Sequence, residues 1–321
     1  MNLIEITNKF PTELDAIQHF EQVRWKSKIE CPYCASKSKG KRNKDYRFHC
    51  KECKKSFSVT TRTNLHNTRL PLRTWIIAFA IITDAKKGIS AKQLERNLGV
   101  HYETAWTMYM KIRDLMVEPV GKLDDITEMD ETYVGGKPRK MADPNCLPAK
   151  NRIDLNKRIA ELEKEGYEFK EGTRKVACNT NVKRGRGTKK IPVVGIVERD
   201  GNVVAQVMQS LTKKNLQTMI KKHVDTKDSV IVTDNYRGYS RLHNIIEHIK
   251  IDHHKMYSYK GVNTNTIESF WAIIERGIMG QYHQVSPKYL PKYVTEFVFK
   301  FNNRNKDDMF ETLIINSMKK K

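Results

Sequence analysis

Three acidic residues on separate segments and four cysteines are the side chains here whose types and spacing point to chemistry. Asp130 lies in the stretch 125–136, which reads as a strand closed by Gly135 and Gly136. Asp234 ends the short apolar run 229–234, where a strand would leave it at the rim of a sheet. Glu268 falls in the first turn of a helix whose stripe is Phe270, Trp271, Ile274 and Ile278, with Asn265 or Thr266 as cap. Beside Phe and Trp, Glu268 is expected to be partly desolvated. Carboxylates that converge from separate elements offer hard oxygen ligands, which select Mg2+ or Mn2+ over zinc. Two such ions about 3.5–4 Å apart hold both the attacking and the leaving oxygen of a phosphoryl displacement. In that arrangement Asp130 bridges the ions, Asp234 binds one and Glu268 the other. Each acid also has a plainer account. Glu268 would favour its helix dipole from water, and Glu128, Asp130 and Glu131 would guard an edge strand by charge. Such crowding of like charge otherwise calls for a compensating cation.

The second constellation is Cys31-Pro-Tyr-Cys34, then fifteen residues, then Cys50-Lys-Glu-Cys53. Two Cys-x-x-Cys knuckles present four thiolates to one tetrahedral zinc ion, with Tyr46-Arg47-Phe48 expected in the hairpin of a zinc ribbon. Two disulfides are the alternative. Cys146 and Cys178 stand alone and receive no metal.

The composition sets the partners. The formal net charge of +22 favours a polyanion, DNA or RNA first and an anionic membrane second. The longest apolar run, 75–82, is far short of the roughly 20 residues that span a bilayer. No basic-then-apolar leader opens the chain. The expected location is the reducing cytoplasm, where cysteines serve as metal ligands or buried thiols.

Three regions position these residues: 1–60 with an N-terminal helix and the zinc ribbon, 61–120 with helices, and 121–321 as an α/β domain carrying a basic insertion at 137–190. In the second region Ser90-x-x-Gln93 starts a short helix that stops at Gly99, and another begins near Tyr102. This is a helix-turn-helix pattern or a plain helical hairpin. On the first reading, the second helix enters the major groove and Lys111 and Arg113 touch the DNA backbone. The insertion has sixteen Lys and Arg against seven Asp and Glu, with a short helix at 154–165. Its arm, with Lys183, Arg184 and Arg186, either follows a phosphate backbone or forms a solvated loop. A hairpin at 191–198 and 202–208, a helix at 213–224, the strand ending at Asp234, the Glu268 helix and a last helix at 290–303 complete the reading.

The cysteine set, Glu128-Met-Asp130-Glu-Thr-Tyr-Val-Gly-Gly136, Thr233-Asp234, and Asn263-Thr-Asn265-Thr-Ile-Glu268-Ser-Phe-Trp271 together resemble the DDE-type insertion-sequence transposases. The subgroup is the one with an N-terminal zinc ribbon and an ISXO-type catalytic domain. The resemblance covers nearly the whole chain. It implies a ribonuclease-H-like fold, structural Zn2+, catalytic Mg2+ or Mn2+, cleavage of DNA at terminal inverted repeats with joining to target DNA, and a dimer or higher assembly on DNA. It implies Asp130, Asp234 and Glu268 as catalytic residues, with Asn265 competing for the third place. Similar transposases often carry Lys or Arg seven positions beyond the glutamate; this chain has Glu275 there, and Arg276 beside it is the candidate substitute for DNA contact. The alternatives are a non-catalytic zinc-ribbon and helix-turn-helix DNA-binding regulator, and an RNA-processing nuclease of the same fold.

Overall fold

The computed structural model describes residues 3–26, 28–135, 160–166, 190–251, 263–306 and 309–320. The chain divides into two compact units, one of Met1–Val134 with Ile191–Lys321 and one of Gly135–Lys190. In the second unit residues 160–164 are helical. Residue 165 already lies in a turn, and residues 154–159 of the expected helix, together with Lys183, Arg184 and Arg186, lie outside the described residues.

Helices come first in the larger unit: α1 (Leu3–Lys9) and α2 (Glu13–Trp25). Thr12 caps α2 in a reciprocal box with Asp15. Two short strands, β1 (Phe48–His49) and β2 (Ser56–Phe57), pair antiparallel around the second cysteine knuckle. The ribbon hairpin therefore flanks residues 50–53 rather than lying wholly between the knuckles. Next come α3 (Leu72–Asp84), α4 (Ala91–Leu98) and α5 (Tyr102–Leu115). Pro71 gives α3 no side-chain cap; Glu13 supplies it from α2, its carboxylate accepting the Leu72 and Arg73 N–H groups at 2.7 and 2.9 Å. Ser90 accepts the Gln93 N–H at the start of α4, while the Gln93 side chain turns to Asn97.

The sheet has five strands: β3 (Ile126–Val134), β4 (Ile191–Glu198), β5 (Val203–Val207), β6 (Val230–Asp234) and β7 (Glu247–Ile251). Their order is β5-β4-β3-β6-β7. β3, β4 and β5 form an antiparallel meander, and β6 and β7 add parallel to β3. Three antiparallel strands extended by two parallel ones give the ribonuclease-H-like sheet. β7, Glu-His-Ile-Lys-Ile, is an addition to the expected set: a half-exposed edge strand whose charges mask its alternation.

One sheet face is covered by α6 (Lys213–His223), whose Leu216, Met219 and Ile220 pack with Met129, Ile196 and Ile231. The other face receives α7 (Asn265–Gly277) and α8 (Leu290–Asn302) through Phe270, Trp271, Ile274, Val294 and Phe297. Gly195 makes the close approach of α7 possible, because a Cβ there would lie 2.8 Å from the Trp271 ring. A five-residue π-helical segment, Ile278–Tyr282, continues α7. The chain then adds a helix beyond the one expected to be last. This is α9 (Met309–Met318), which returns to pack on α2, α3 and α5. Its Asn316 bridges the helices, donating to the Leu115 carbonyl and accepting from Asn64.

α5 and α8 meet at Glu296, which is fully buried. Its carboxylate accepts from Arg113 Nε at 2.8 Å, Lys300 Nζ at 2.7 Å and the Tyr109 hydroxyl at 2.6 Å, with the Tyr282 hydroxyl at 3.1 Å. Burial alone would raise this carboxyl; Lys300 and Arg113 overcome it and hold it at about 2. Arg113 is itself buried, its guanidinium carbon 3.7 Å from the ring centroids of both Tyr109 and Tyr293. Replacing Arg113 by Ala strips a counter-charge from a carboxylate that water cannot reach. We expect it to cost about 3–5 kcal/mol in denaturant unfolding, against no measurable change for exposed Lys111→Ala.

Candidate active site

The alternation of β3 decides where its acids point. Glu128 accepts the N–H of Ile267 and Thr132 donates to Glu275 Oε1, both partners being on α7. Asp130, between them, faces the same side. Met129 and Glu131 face the other: Met129 packs in the α6 cluster, and Glu131 accepts the Tyr239 hydroxyl at 2.6 Å. The three neighbouring acids thus divide between opposite faces, and Glu128 and Glu131 each have a protein partner.

Parallel pairing matches Glu128 with Val232 and Met129 with Thr233. The paired ladder ends at Met129 and Thr233, and the residues that follow on the two strands are Asp130 and Asp234, near enough that the charge of Asp234 acts on Asp130. Asp234 Oδ1 accepts the Tyr236 N–H at 3.0 Å, which holds the acid at the strand's end. Glu268 follows Ile267 in the first turn of α7; its Oε1 accepts the Thr264 hydroxyl at 2.9 Å. Its side chain is exposed, not desolvated beside Phe270 and Trp271, whose rings are buried. Asn265 is exposed at the first position of α7, and its N–H donates to Asn263 Oδ1. Neither Asn265 nor Thr266 caps the helix; Thr264 is the N-cap residue and makes no side-chain bond to the backbone there. Arg276 is exposed in the last turn.

Asp130 carries the electrostatic signature of the cluster. Its pKa is raised to about 7 by burial first, then by the charge of Glu131, and further by those of Asp234 and Glu268. Among the described residues, the cysteines are the one group of three or more metal-donor side chains lying within 4.8 Å of one another. Asp130, Asp234 and Glu268 do not form such a group.

At the ribbon, Cys31 Sγ lies 3.6 Å from Cys53 Sγ, and Cys34 Sγ 3.6 Å from Cys50 Sγ. A zinc tetrahedron with bonds of about 2.3 Å has edges of about 3.8 Å. The knuckles repeat one geometry. The N–H of Ala35 returns to the Cys31 carbonyl and that of Lys54 to the Cys50 carbonyl, with Ala35 and Lys54 both at positive φ. All four cysteines are free thiols, so the zinc reading stands and the disulfide alternative does not.

α4 ends at Gly99 in the left-handed conformation, and α5 follows as the second helix of the pair. Glu103, Thr107, Lys111 and Asp114 form its exposed stripe. Lys111 borders a concavity of about 330 Å³ with Arg69, Thr104 and Thr107. Arg113 points away from any such surface. Its burial against Glu296, with 1% of it exposed, rules out the expected contact with a DNA backbone. The partner roles of Glu128, Arg199 and Glu296 were also missed. Period-two alternation was the available sign for Glu128; Arg199 and Glu296 have no local signal.

Asp130 supplies a pH test. Its pKa in the fold lies above its ordinary 3.8, so its contribution favours the fold at low pH and is lost as pH rises towards 7. In protein free of added divalent ions, Asp130→Asn should raise the melting temperature more at pH 8 than at pH 5. Equal gains at both pH values would contradict this electrostatic account.

Two family profiles match the chain: a transposase zinc-ribbon domain over residues 11–56 and an ISXO2-like transposase domain over residues 166–302. A curated relative, an uncharacterized protein in transposable element ISH50 of Halobacterium salinarum, is 28% identical over 141 residues, 42% of this chain and 47% of that protein. The chain thus spans about half the length of that relative. Among solved structures, the Mos1 strand transfer complex aligns over 74% of this chain and 75% of that one, at 12% identity and a TM-score of 0.30. The Mos1 transposase paired-end complex with left transposon end aligns over 77% and 80%, at 10% identity and 0.29. Likenesses that distant carry no weight here. One profile match lies on the four-cysteine module and the other reaches across Asp234 and Glu268, so in both regions the chain is similar to transposases that carry a zinc ribbon and an ISXO2-like domain.

Proposed function

We propose that this protein is an active transposase, cutting DNA at the ends of an insertion sequence and joining the freed ends to target DNA. The observation that carries the reading is the clustering of Asp130 with Asp234 and Glu268, whose charges act on it, next to where adjacent parallel strands pair and with the first turn of α7 docked over the same face. An all-oxygen donor set of Asp130, Asp234 and Glu268 fits Mg2+ or Mn2+. When bound, two such ions stabilise the attacking and leaving oxygens of an in-line displacement. The protein's part is to hold the acids in place and to align the nucleophile. Asp130 takes the central position, and its raised pKa means that ion binding displaces a proton near neutral pH. Asp234 is fixed by the Tyr236 N–H and Glu268 by the Thr264 hydroxyl. Asn265, one turn before Glu268, offers a neutral oxygen at the same end of the helix. Hydrolysis first frees a 3′-OH; that oxygen then attacks a target phosphodiester, one P–O bond forming as another breaks.

DNA is the partner that fits a net charge of +22 and a ribbon rich in Lys and Arg. Lys111, Arg276 and the arm residues Lys183, Arg184 and Arg186 are the proposed backbone contacts. The protein would act in the cytoplasm as a dimer or higher assembly on DNA. Among the described residues, no helix is long and apolar enough to cross a membrane.

Zinc-loaded protein incubated with labelled element ends, target DNA and Mg2+ should transfer strands. Asp130→Asn and Asp234→Asn should each reduce transfer at least about 100-fold, and comparing Glu268→Gln with Asn265→Ala identifies the third residue. DNA binding without metal-dependent cleavage under these conditions would favour the regulator reading. Binding should weaken steeply with salt, and Lys111→Ala should lessen the slope of log K against log salt by about 0.9, as one lost phosphate contact requires.

A further inference from the structure

The N-terminus of α7 is held from outside the helix. Its N-cap, Thr264, makes no side-chain bond to the backbone there, the hydroxyl being given to Glu268. Instead, Glu128 Oε2 accepts the N–H of Ile267 at 2.9 Å, across the gap between strand and helix. Glu128 is 0% exposed, and a buried carboxylate needs compensation. Part of it comes from the positive end of the α7 dipole. Part comes from Arg199, whose Nη2 lies 3.4 Å from Glu128 Oε1 and 3.4 Å from the Asn263 carbonyl. Arg199 is tied to the sheet in turn, its N–H donating to the Ile126 carbonyl at 3.0 Å. One carboxylate thus fastens β3, the segment leading into α7 and the turn after β4.

The sequence places this fastening between the proposed metal ligands. Asp130 stands two positions after Glu128 on the same face of β3, and Glu268 is the residue after Ile267. Two strand residues, one hydrogen bond and one peptide link connect the two acids. We propose that Glu128 is a positioning residue: its bond to the Ile267 N–H sets Glu268 against Asp130, so the strand that carries the first acid also places the third. This inference rests on reading Asp130, Asp234 and Glu268 as ion ligands. It gives Glu128 no contact with the ions or with DNA.

Two substitutions of similar size separate the bond from the bulk. Glu128→Gln keeps a carbonyl oxygen for the Ile267 N–H; Glu128→Met fills the space and accepts nothing. Mn2+ titration of zinc-loaded protein, followed by electron paramagnetic resonance, should show affinity about 10- to 100-fold weaker in Glu128→Met and within about threefold of wild type in Glu128→Gln, the scale seen when a ligand's supporting bond is lost. Strand transfer should fall in the same order, with zinc content and DNA binding unchanged. Wild-type Mn2+ affinity in Glu128→Met, or equal losses in both variants, would overturn the inference. Asp130→Asn run alongside tells the two readings apart. Unchanged Mn2+ affinity there removes the ion-binding reading and this inference with it; loss there, with wild-type affinity in Glu128→Met, removes the inference alone. Should Glu128→Met not fold, wild-type protein still decides. The Ile267 amide is expected to exchange hydrogen more slowly than that of Thr266, and equal rates would overturn the inference.

Discussion

A carboxylate shut away from water, Glu296, governs how this molecule is assembled. An isolated anion in that position is prohibitively unfavourable, so the fold must bring cations and hydroxyl donors to it. They come from Arg113 and Tyr109 on α5, Lys300 one turn along α8, and Tyr282 at the end of the π-helical segment. Lys300 reaches further, to the Ala85 carbonyl that follows α3. Such a cluster is a poor source of net stability compared with good apolar packing, but it is highly selective. Any slip of α5 along α8 leaves at least one charge buried without its partner. The helices proposed to grip DNA and the sheet that carries the acids therefore share one register.

The same economy appears at smaller scale where helices begin. Neither α3 nor α7 carries its own cap. Glu13 completes α3 from α2, and Glu128 completes α7 from β3. In each case a carboxylate satisfies backbone N–H groups and at the same time fixes the angle between two elements. Gly195 does the complementary work on the sheet: paired with Asp130 on the next strand, it leaves room for Trp271 and lets α7 lie close above the acids.

Much of this could be read from the residues. The cysteine spacing declared the ribbon, the hairpin of β4 and β5 lies at the residues expected, and Asp234 closes its strand as expected. What escaped was what depends on distant partners. Arg113 resembles any basic residue on an amphipathic helix until Glu296 lies beside it. Three acids in four positions look like repulsion until alternation sends them to opposite faces and Tyr239 and Arg199 meet two of them. β7 and α9 were passed over for different reasons. The strand is polar and lies at an edge, and the helix follows a charged break after the aromatic faces of α8. The positions of Asp130 and Asp234 on their strands and of Glu268 in a first helical turn were legible because strand ends and first turns leave local marks; how these residues are held was not.

The return of α9 to the first helices has a consequence for biosynthesis. The core under the proposed DNA-reading helices is built from both ends of the sequence, with Phe310, Leu313 and Ile314 packed among residues of α2 and α3. A ribosome must therefore synthesise the whole five-stranded sheet before this core can close. Products that stop before residue 309 would lack its final wall, leaving the apolar faces of α2 and α3 open to water.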